Sequence, residues 1–232
     1  MSEPAHTGEI LARAVAYPYA APLRSFVQVG EETLELPPEG PDLSGRRPLL
    51  AYGSNAAAPV LARKLAALPD LPLPVLRGEL DDFDAVYSAH ISPYGAVPST
   101  LQRSPGTTIP VFVAYPTEEQ LWLLSTTEPN YELHKLHDLS ARTDPGGELT
   151  EAGVYLSRHG CLTFDGSESA MAAVAAVGRR FPSLGEVEVL ERVRHILAPE
   201  LDLGRFVESS LDPGLAAART AILHGGSRPL EF

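Results

Sequence analysis

The apolar and polar positions of this chain alternate and recur in ways that predict many short elements. Leu49, Leu50 and Ala51 form an apolar run that stops abruptly in Tyr52-Gly53-Ser54-Asn55, the pattern of a buried strand delivering a loop. Gly53 allows backbone conformations closed to other residues, and Ser54 and Asn55 turn a chain by bonding their own backbone. Pro59 suits a first helical position, and Leu61, Leu65 and Leu68 recur at three and four residues, so residues 59–68 read as a helix. Its start would aim free backbone N–H groups into the space above the strand, a corner that favours an anion such as a small-molecule carboxylate. The plainer alternative is that Asn55 caps the helix and Gly53 only turns.

The same reading predicts a short helix over Thr7 to Ala16 and a hairpin around Gly30 from Ser25–Val29 and Thr33–Leu36, with the Pro- and Gly-rich stretch Pro37 to Pro48 as a linker. Val75–Leu80, Ala85–Ile91, Val97–Arg103 and Ile109–Tyr115 are strand-like runs between turn residues. Four strands in such short order imply a barrel or a strongly curved sheet. Thr117-Glu118-Glu119-Gln120 has the form of a capping box, opening a helix that Pro129 ends at Glu128. Glu151–Arg158 and Gly160–Phe164 read as a strand pair turning at His159-Gly160. Ser167–Arg180, Leu184–Leu197 and Pro213–His224 carry apolar residues at helical spacing. The expected organisation is a leader at 1–48, a barrel domain at 49–165 and a helical C-terminal extension at 166–232.

Composition narrows the class. The chain has 232 residues, 44% hydrophobic and 21% charged, the balance of a globular domain with one substantial core. No apolar run is long enough to span a bilayer, and Met1 to His6 lack the basic and apolar regions of a secretory signal, so no membrane partner is expected. Cys161 is the only cysteine, which excludes an internal disulfide framework and a cysteine zinc site and fits a reducing cytoplasm. With 30 acidic against 18 basic residues and a formal charge of -12, nucleic-acid binding has no basic footprint to rest on.

Glu128 is the second position that stands out. On the predicted helix it follows Leu124 by four residues and Leu121 by seven, which turns its carboxyl toward the interior at a helix C-terminus, where the partial charge disfavours an anion. Apolar surroundings shift a carboxyl toward its neutral form, the condition for a general acid or base near neutral pH. The alternative is a rotated helix that lets Glu128 reach solvent or a partner such as Lys135. His90, Tyr94 and Thr100 flank strand ends and could line the same mouth. His134 and His137, three apart beside Asp138, would share a face if helical, but no third or fourth metal ligand accompanies them, and no metal is expected. Cys161 lacks an adjacent base and reads as a small apolar residue. The arginine-bearing C-terminal helices carry ordinary mixed-charge faces or form a homodimer surface.

Tyr52-Gly53-Ser54-Asn55 at a strand end, followed by a helix, several strands and then Leu124-Ser125-Thr126-Thr127-Glu128 with Tyr131 just beyond, resembles the gamma-glutamyl cyclotransferase-like family over about Leu49 to Leu139. The resemblance implies an α+β fold, a small mixed β-barrel with flanking helices and the helical C-terminal extension. It implies that Tyr52, Gly53, Ser54, Asn55 and Tyr131 bind the glutamyl end of a small-molecule γ-glutamyl substrate and that Glu128 is catalytic. The implied reaction closes a γ-glutamyl amine or peptide to 5-oxoproline with release of an amine and needs no cofactor. The pattern differs at Ala56, Ser125, Pro129 and Leu133, where the family usually has a larger apolar residue, an aspartate, a glycine and an arginine. Two rival readings remain: a non-catalytic small-molecule-binding or protein-interaction module on the same fold, and an amide hydrolase using water in the same pocket.

Overall fold

The computed structural model describes residues 3–232. Helix α1 (Glu3–Val15) leads into the hairpin of β1 (Phe26–Val29) and β2 (Glu32–Leu34) around Gly30, as the turn chemistry predicts. Strand β3 (Leu49–Ala51) ends in a 3-10 turn at Ser54–Ala56 and then α2 (Ala58–Lys64), shorter than the predicted helix. The four strand-like runs that follow are two long strands, β4 (Leu73–Tyr87) and β5 (Ser99–Ala114), paired antiparallel from Val75↔Ala114 to Tyr87↔Ser99. Their register shifts between Asp81 and Phe83, where Asp82 adopts φ 64° and its Oδ1 accepts from Gly106 N–H at 2.7 Å. The turn residues Ser104-Pro105-Gly106 thus form an excursion within a continuous strand.

The capping box is present: Thr117 Oγ1 accepts from Gln120 N–H, and Gln120 Oε1 accepts from Thr117 N–H. It opens α3 (Glu118–Thr126), which ends two residues before Glu128. There follow β6 (Tyr131–Leu136), β7 (Ala141–Asp144), β8 (Gly147–Leu149), β9 (Ala152–Ser157) and the two-residue strands β10 (Thr163–Phe164), β11 (Ser167–Glu168), β12 (Ala170–Met171) and β13 (Ser183–Leu184). The chain closes with α4 (Glu186–Leu197), α5 (Leu203–Ser209) and α6 (Pro213–Gly225).

Two sequence expectations are corrected here. β9 pairs with β6 and, in parallel, with β3, while Cys161 bridges Ser88 and Arg228; Glu151–Arg158 therefore has no partner in Gly160–Phe164. Ser167–Arg180 is not a helix. Ala170 pairs with Val86 of β4, and Arg179 chelates the fully buried Asp84 through two hydrogen bonds of 2.9 Å, so sheet pairing and a buried ion pair override the alanine-rich propensity. The main sheet runs β13-β12-β4-β5-β3-β9-β6, with β1 and β7 also on β4. Its ends, β13 and β6, do not pair with each other among the described residues, so the fold is α+β with a long curled sheet and the pairing does not close a barrel.

β3 sits inside this sheet and alternates between two cores. Leu50 joins the large cluster with Leu76, Val113, Val154 and the α4–α6 residues Leu190, Phe206 and Leu223. Leu49 and Ala51 face the smaller cluster with Leu61 of α2, Leu124 of α3 and Phe112. The C-terminal helices α4, α5 and α6 therefore cover one face and α2 and α3 the other. No helix among the described residues is long and apolar enough to cross a membrane.

At the end of β3 the chain passes close to its neighbours. A Cβ on Gly53 would stand 2.8 Å from Tyr17 Oη and inside van der Waals distance of Ser99 Oγ. Gly53 adopts φ -132°, so close approach, not an unusual backbone angle, is what requires glycine. On the other face Glu186 opens α4 with one oxygen accepting from Val97 N–H at 2.8 Å and the other, Oε2, without a hydrogen-bond partner among the described residues. Burial raises its carboxyl well above the ordinary value.

Two stability predictions follow from these contacts. Gly53→Ala should destabilise the fold by about 1–3 kcal/mol, read from the urea midpoint. Folded Glu186 retains a proton that the unfolded chain releases above about pH 4.3, so it costs stability as pH rises above that point. Glu186→Gln keeps the acceptor for Val97 without the proton. It should unfold at higher urea than the parent at pH 7.5, with the gap closing at pH 4.

Candidate active site

Leu50 to Asn55, Glu128 to Tyr131 and Tyr155 surround a cavity of about 340 Å³ above the C-terminal end of β3. β3 carries Tyr52 to Asn55 to the rim, and the turn after α3 returns Glu128 to face them. Asn55 Nδ2 donates to Glu128 Oε1 at 2.9 Å. Lys64, in the last turn of α2, donates to Asn55 Oδ1 at 2.8 Å and forms an ion pair with the same Glu128 Oε1. Only 11% of the Lys64 side chain and 12% of the Glu128 side chain are exposed, so this ion pair is substantially withdrawn from water.

The expected surroundings of Glu128 are corrected by these contacts. The residue lies beyond the helix, and its neighbours are an amide and an ammonium. Its ion-pair partner is Lys64; Lys135 pairs instead with Glu151 at 2.8 Å. Asn55 does not cap α2, whose N-cap is Ala57 with no side-chain bond. Among the described residues Glu128 Oε2 has no hydrogen-bond partner within the protein, which leaves it for a ligand in the cavity.

The tyrosines are walls with their protons already committed. Tyr52 Oη donates to the Tyr155 carbonyl, and Tyr131 Oη donates to the Ser99 carbonyl at 2.8 Å. Burial raises both phenols well above their usual range. Tyr155 Oη is bonded to Ser125 Oγ at 2.8 Å. Ser54 lines the cavity; its carbonyl accepts from Ala57 N–H at 3.0 Å, and its hydroxyl has no hydrogen bond to the protein among the described residues.

The sequence reading did not identify several contributors. Tyr17 and Tyr19, from the segment after α1, form an aromatic group with Tyr94 at ring separations of 6.0 to 6.3 Å. Arg13 lies over the Tyr94 ring at 5.3 Å. Tyr17 Oη also accepts from Ser99 N–H at 3.0 Å, which ties this segment to β5. Arg63 reaches the rim without an ion pair among the described residues. The cavity thus carries two cations against one carboxylate, and no local pattern in the sequence marks Arg63 or Lys64.

His90 lies on the wall with its ring 5.5 Å from that of Tyr131, and its Nδ1 is bonded to Ser88 Oγ at 2.6 Å. Burial, followed by the neighbouring His159, pushes its pKa down to about 3, so the imidazole stays neutral at physiological pH. Tyr94 lines the cavity as expected. Thr100 does not: it is fully buried and accepts from Ser157 N–H at 3.2 Å. His134 belongs to strand β6 and His137 follows it, so the helical face imagined for them does not exist, and no metal-binding group of three or more ligands occurs among the described residues.

No family model and no curated protein matches the chain. Among solved structures it is similar to a gamma-glutamyl cyclotransferase, at 16% identity over 81% of this chain and 90% of that one, with a TM-score of 0.39. It is similar to an Arabidopsis thaliana protein solved in solution, at 18% identity over 50% and 72% of the two chains, with a TM-score of 0.39. An uncharacterized Homo sapiens protein shares 16% identity over 82% of this chain and 92% of its own, with a TM-score of 0.38.

Proposed function

We propose that the chain is an enzyme of the gamma-glutamyl cyclotransferase type, closing a γ-glutamyl amine or peptide to 5-oxoproline and releasing an amine. The observation that carries this reading is the meeting of the loop after β3 with Glu128. Asn55 and Lys64 fix one carboxylate oxygen, and the other is left toward a cavity large enough for a small amino-acid head group. Charge supports the same class: a glutamyl α-ammonium suits Glu128, and its α-carboxylate suits Arg63 or loop amides of Gly53 to Asn55. Lys64 holds its ammonium at Glu128 Oε1, which illustrates the kind of group this carboxylate accepts.

In the proposed reaction the substrate α-nitrogen, once deprotonated, attacks the γ-amide carbonyl carbon. A carbon–nitrogen bond forms within a five-membered ring as the amide carbon–nitrogen bond breaks. Glu128 accepts the proton lost by the attacking amine and passes it to the departing nitrogen, so no water is consumed and no redox change occurs. Loop N–H groups would steady the negative charge that develops on the carbonyl oxygen. Tyr52 and Tyr131 act as binding walls, since their hydroxyl protons are held by backbone carbonyls.

The Lys64–Glu128 pair also favours a second reading. A carboxylate already matched by an ammonium suits a non-catalytic binding module, in which the cavity recognises a zwitterion and goes no further. Mass spectrometry of purified protein incubated with γ-glutamyl dipeptides, γ-glutamylamines and glutathione separates the readings. The proposal expects 5-oxoproline from the parent and a loss of roughly 10²–10⁴-fold in rate with Glu128→Gln. Free glutamate in place of 5-oxoproline identifies a hydrolase, and no product from any member identifies the binding module.

A further inference from the structure

A second depression, an open groove of about 540 Å³, lies between the Ile91–Pro93 segment and the α5–α6 helices. It shares Pro93 and Asn130 with the reaction cavity. Asn130 is two residues from Glu128, so the groove begins within about 7 Å of the Glu128 backbone. The two depressions are therefore neighbours along one wall.

The groove has a distinct chemistry. Its lining contains no Lys, Arg, Asp or Glu, and Ile91, Leu211, Ala217 and Ala221 supply its apolar surface. Its polar groups are largely used within the protein. Thr220 Oγ1 accepts from Ile91 N–H at 3.1 Å, Ser210 Oγ donates to Phe206 O at 2.8 Å, and His224 Nδ1 meets the His159 carbonyl at 2.9 Å. His159 Nε2 meets Asn130 Oδ1 at 3.2 Å, and burial, with His224 and Arg158 nearby, lowers the affinity of its ring for a proton. Asn130 Nδ2, at the junction, has no acceptor among the described residues. An anionic group entering this groove would lose water and meet no Lys or Arg in its lining, since Arg219 is buried behind Ser210 and bonded to it, whereas an alkyl or aryl group would exchange water for apolar contact.

We infer that this groove is the leaving-group subsite of the proposed reaction, and that it selects γ-glutamyl amides of uncharged, apolar amines over γ-glutamyl amino acids and peptides. The inference rests on the cyclotransferase reading for the glutamyl head. Asn130 Nδ2 sits where the scissile amide would cross from one depression to the other and is placed to donate to it. Ala217 is exposed on the groove wall, so enlarging it alters the groove without entering the core.

The test is a methyl-NMR titration of the unaltered full-length protein with unreactive analogues of γ-glutamylanilide and γ-glutamylglycine, a methylene replacing the amide nitrogen of each. Ala51 reports on the reaction cavity, and Ala217 and Ala221 report on the groove. The anilide analogue should shift all three methyls and bind about tenfold more tightly than the glycine analogue, which should shift Ala51 alone. Ala217→Trp should remove that preference. An anilide analogue that shifts Ala51 but neither groove methyl overturns the subsite while sparing the glutamyl reading. Equal affinity for the two ligands, or equal response of the groove methyls, overturns the selectivity. Absence of any shift at Ala51 from either ligand contradicts the glutamyl reading, and the inference falls with it.

Discussion

Strand β3 is three residues long, buried on both faces and paired on both edges, antiparallel with β5 and parallel with β9. This double pairing holds the chain at the point where it turns out of the sheet. Leu50 anchors it to one core and Leu49 with Ala51 to the other, so the strand can neither slide by one residue nor rotate without exposing apolar surface. The direction in which Tyr52 to Asn55 leave the sheet is a consequence. So is the position of β9, whose other edge carries β6 and therefore Tyr131, the first residue after the Glu128 turn.

Electrostatics then determine what the loop and turn make together. Asn55 and Lys64 both address Glu128 Oε1, leaving a carboxylate with one fixed oxygen and one open oxygen. Substantially buried ions need partners, and removing one partner leaves an uncompensated charge, so the three side chains hold each other in place. Tyr52 and Tyr131 add apolar surface without adding acids, because their protons are committed to carbonyls and burial opposes their ionisation. The resulting cavity is lined by Arg63, Lys64 and Glu128 and shares Pro93 and Asn130 with the apolar groove.

Local chemistry was legible in the sequence where it was also decisive. The hairpin at Gly30, the strand at Leu49–Ala51 and the Thr117–Gln120 capping box depend on neighbours a few residues apart, and each forms as its residues predict. Long-range pairing was not legible. Asp82 and Ser104-Pro105-Gly106 have the chemistry of chain-reversing turns but are absorbed by a register shift, so four expected strands are two. The alanines of Ser167–Arg180 satisfy a helical pattern that pairing with β4 and the Arg179–Asp84 ion pair override. At the site, Tyr52 to Asn55 and Glu128 were singled out from residue types and order, and Tyr131 through the resemblance to the gamma-glutamyl cyclotransferase-like family. Lys64 was not, because a lysine in the last turn of a helix ordinarily faces water, and its partner lies 64 residues away. Tyr17 and Tyr19 were missed for the same reason: nothing near them in the chain indicates that their segment returns to Ser99.

The central claim is that Glu128 offers its open oxygen to the amine of an amino-acid head group held by the loop after β3. A crystal structure of the unaltered protein with an unreactive γ-glutamyl analogue, its amide nitrogen replaced by a methylene, tests this most directly. The account predicts the analogue in the cavity with its α-nitrogen in hydrogen-bonding contact with Glu128 and its carboxylate toward Arg63 and the Gly53–Asn55 amides. An analogue bound with its carboxylate at Lys64 and its nitrogen turned away from Glu128, or one that leaves the cavity empty at saturating concentration, would contradict it.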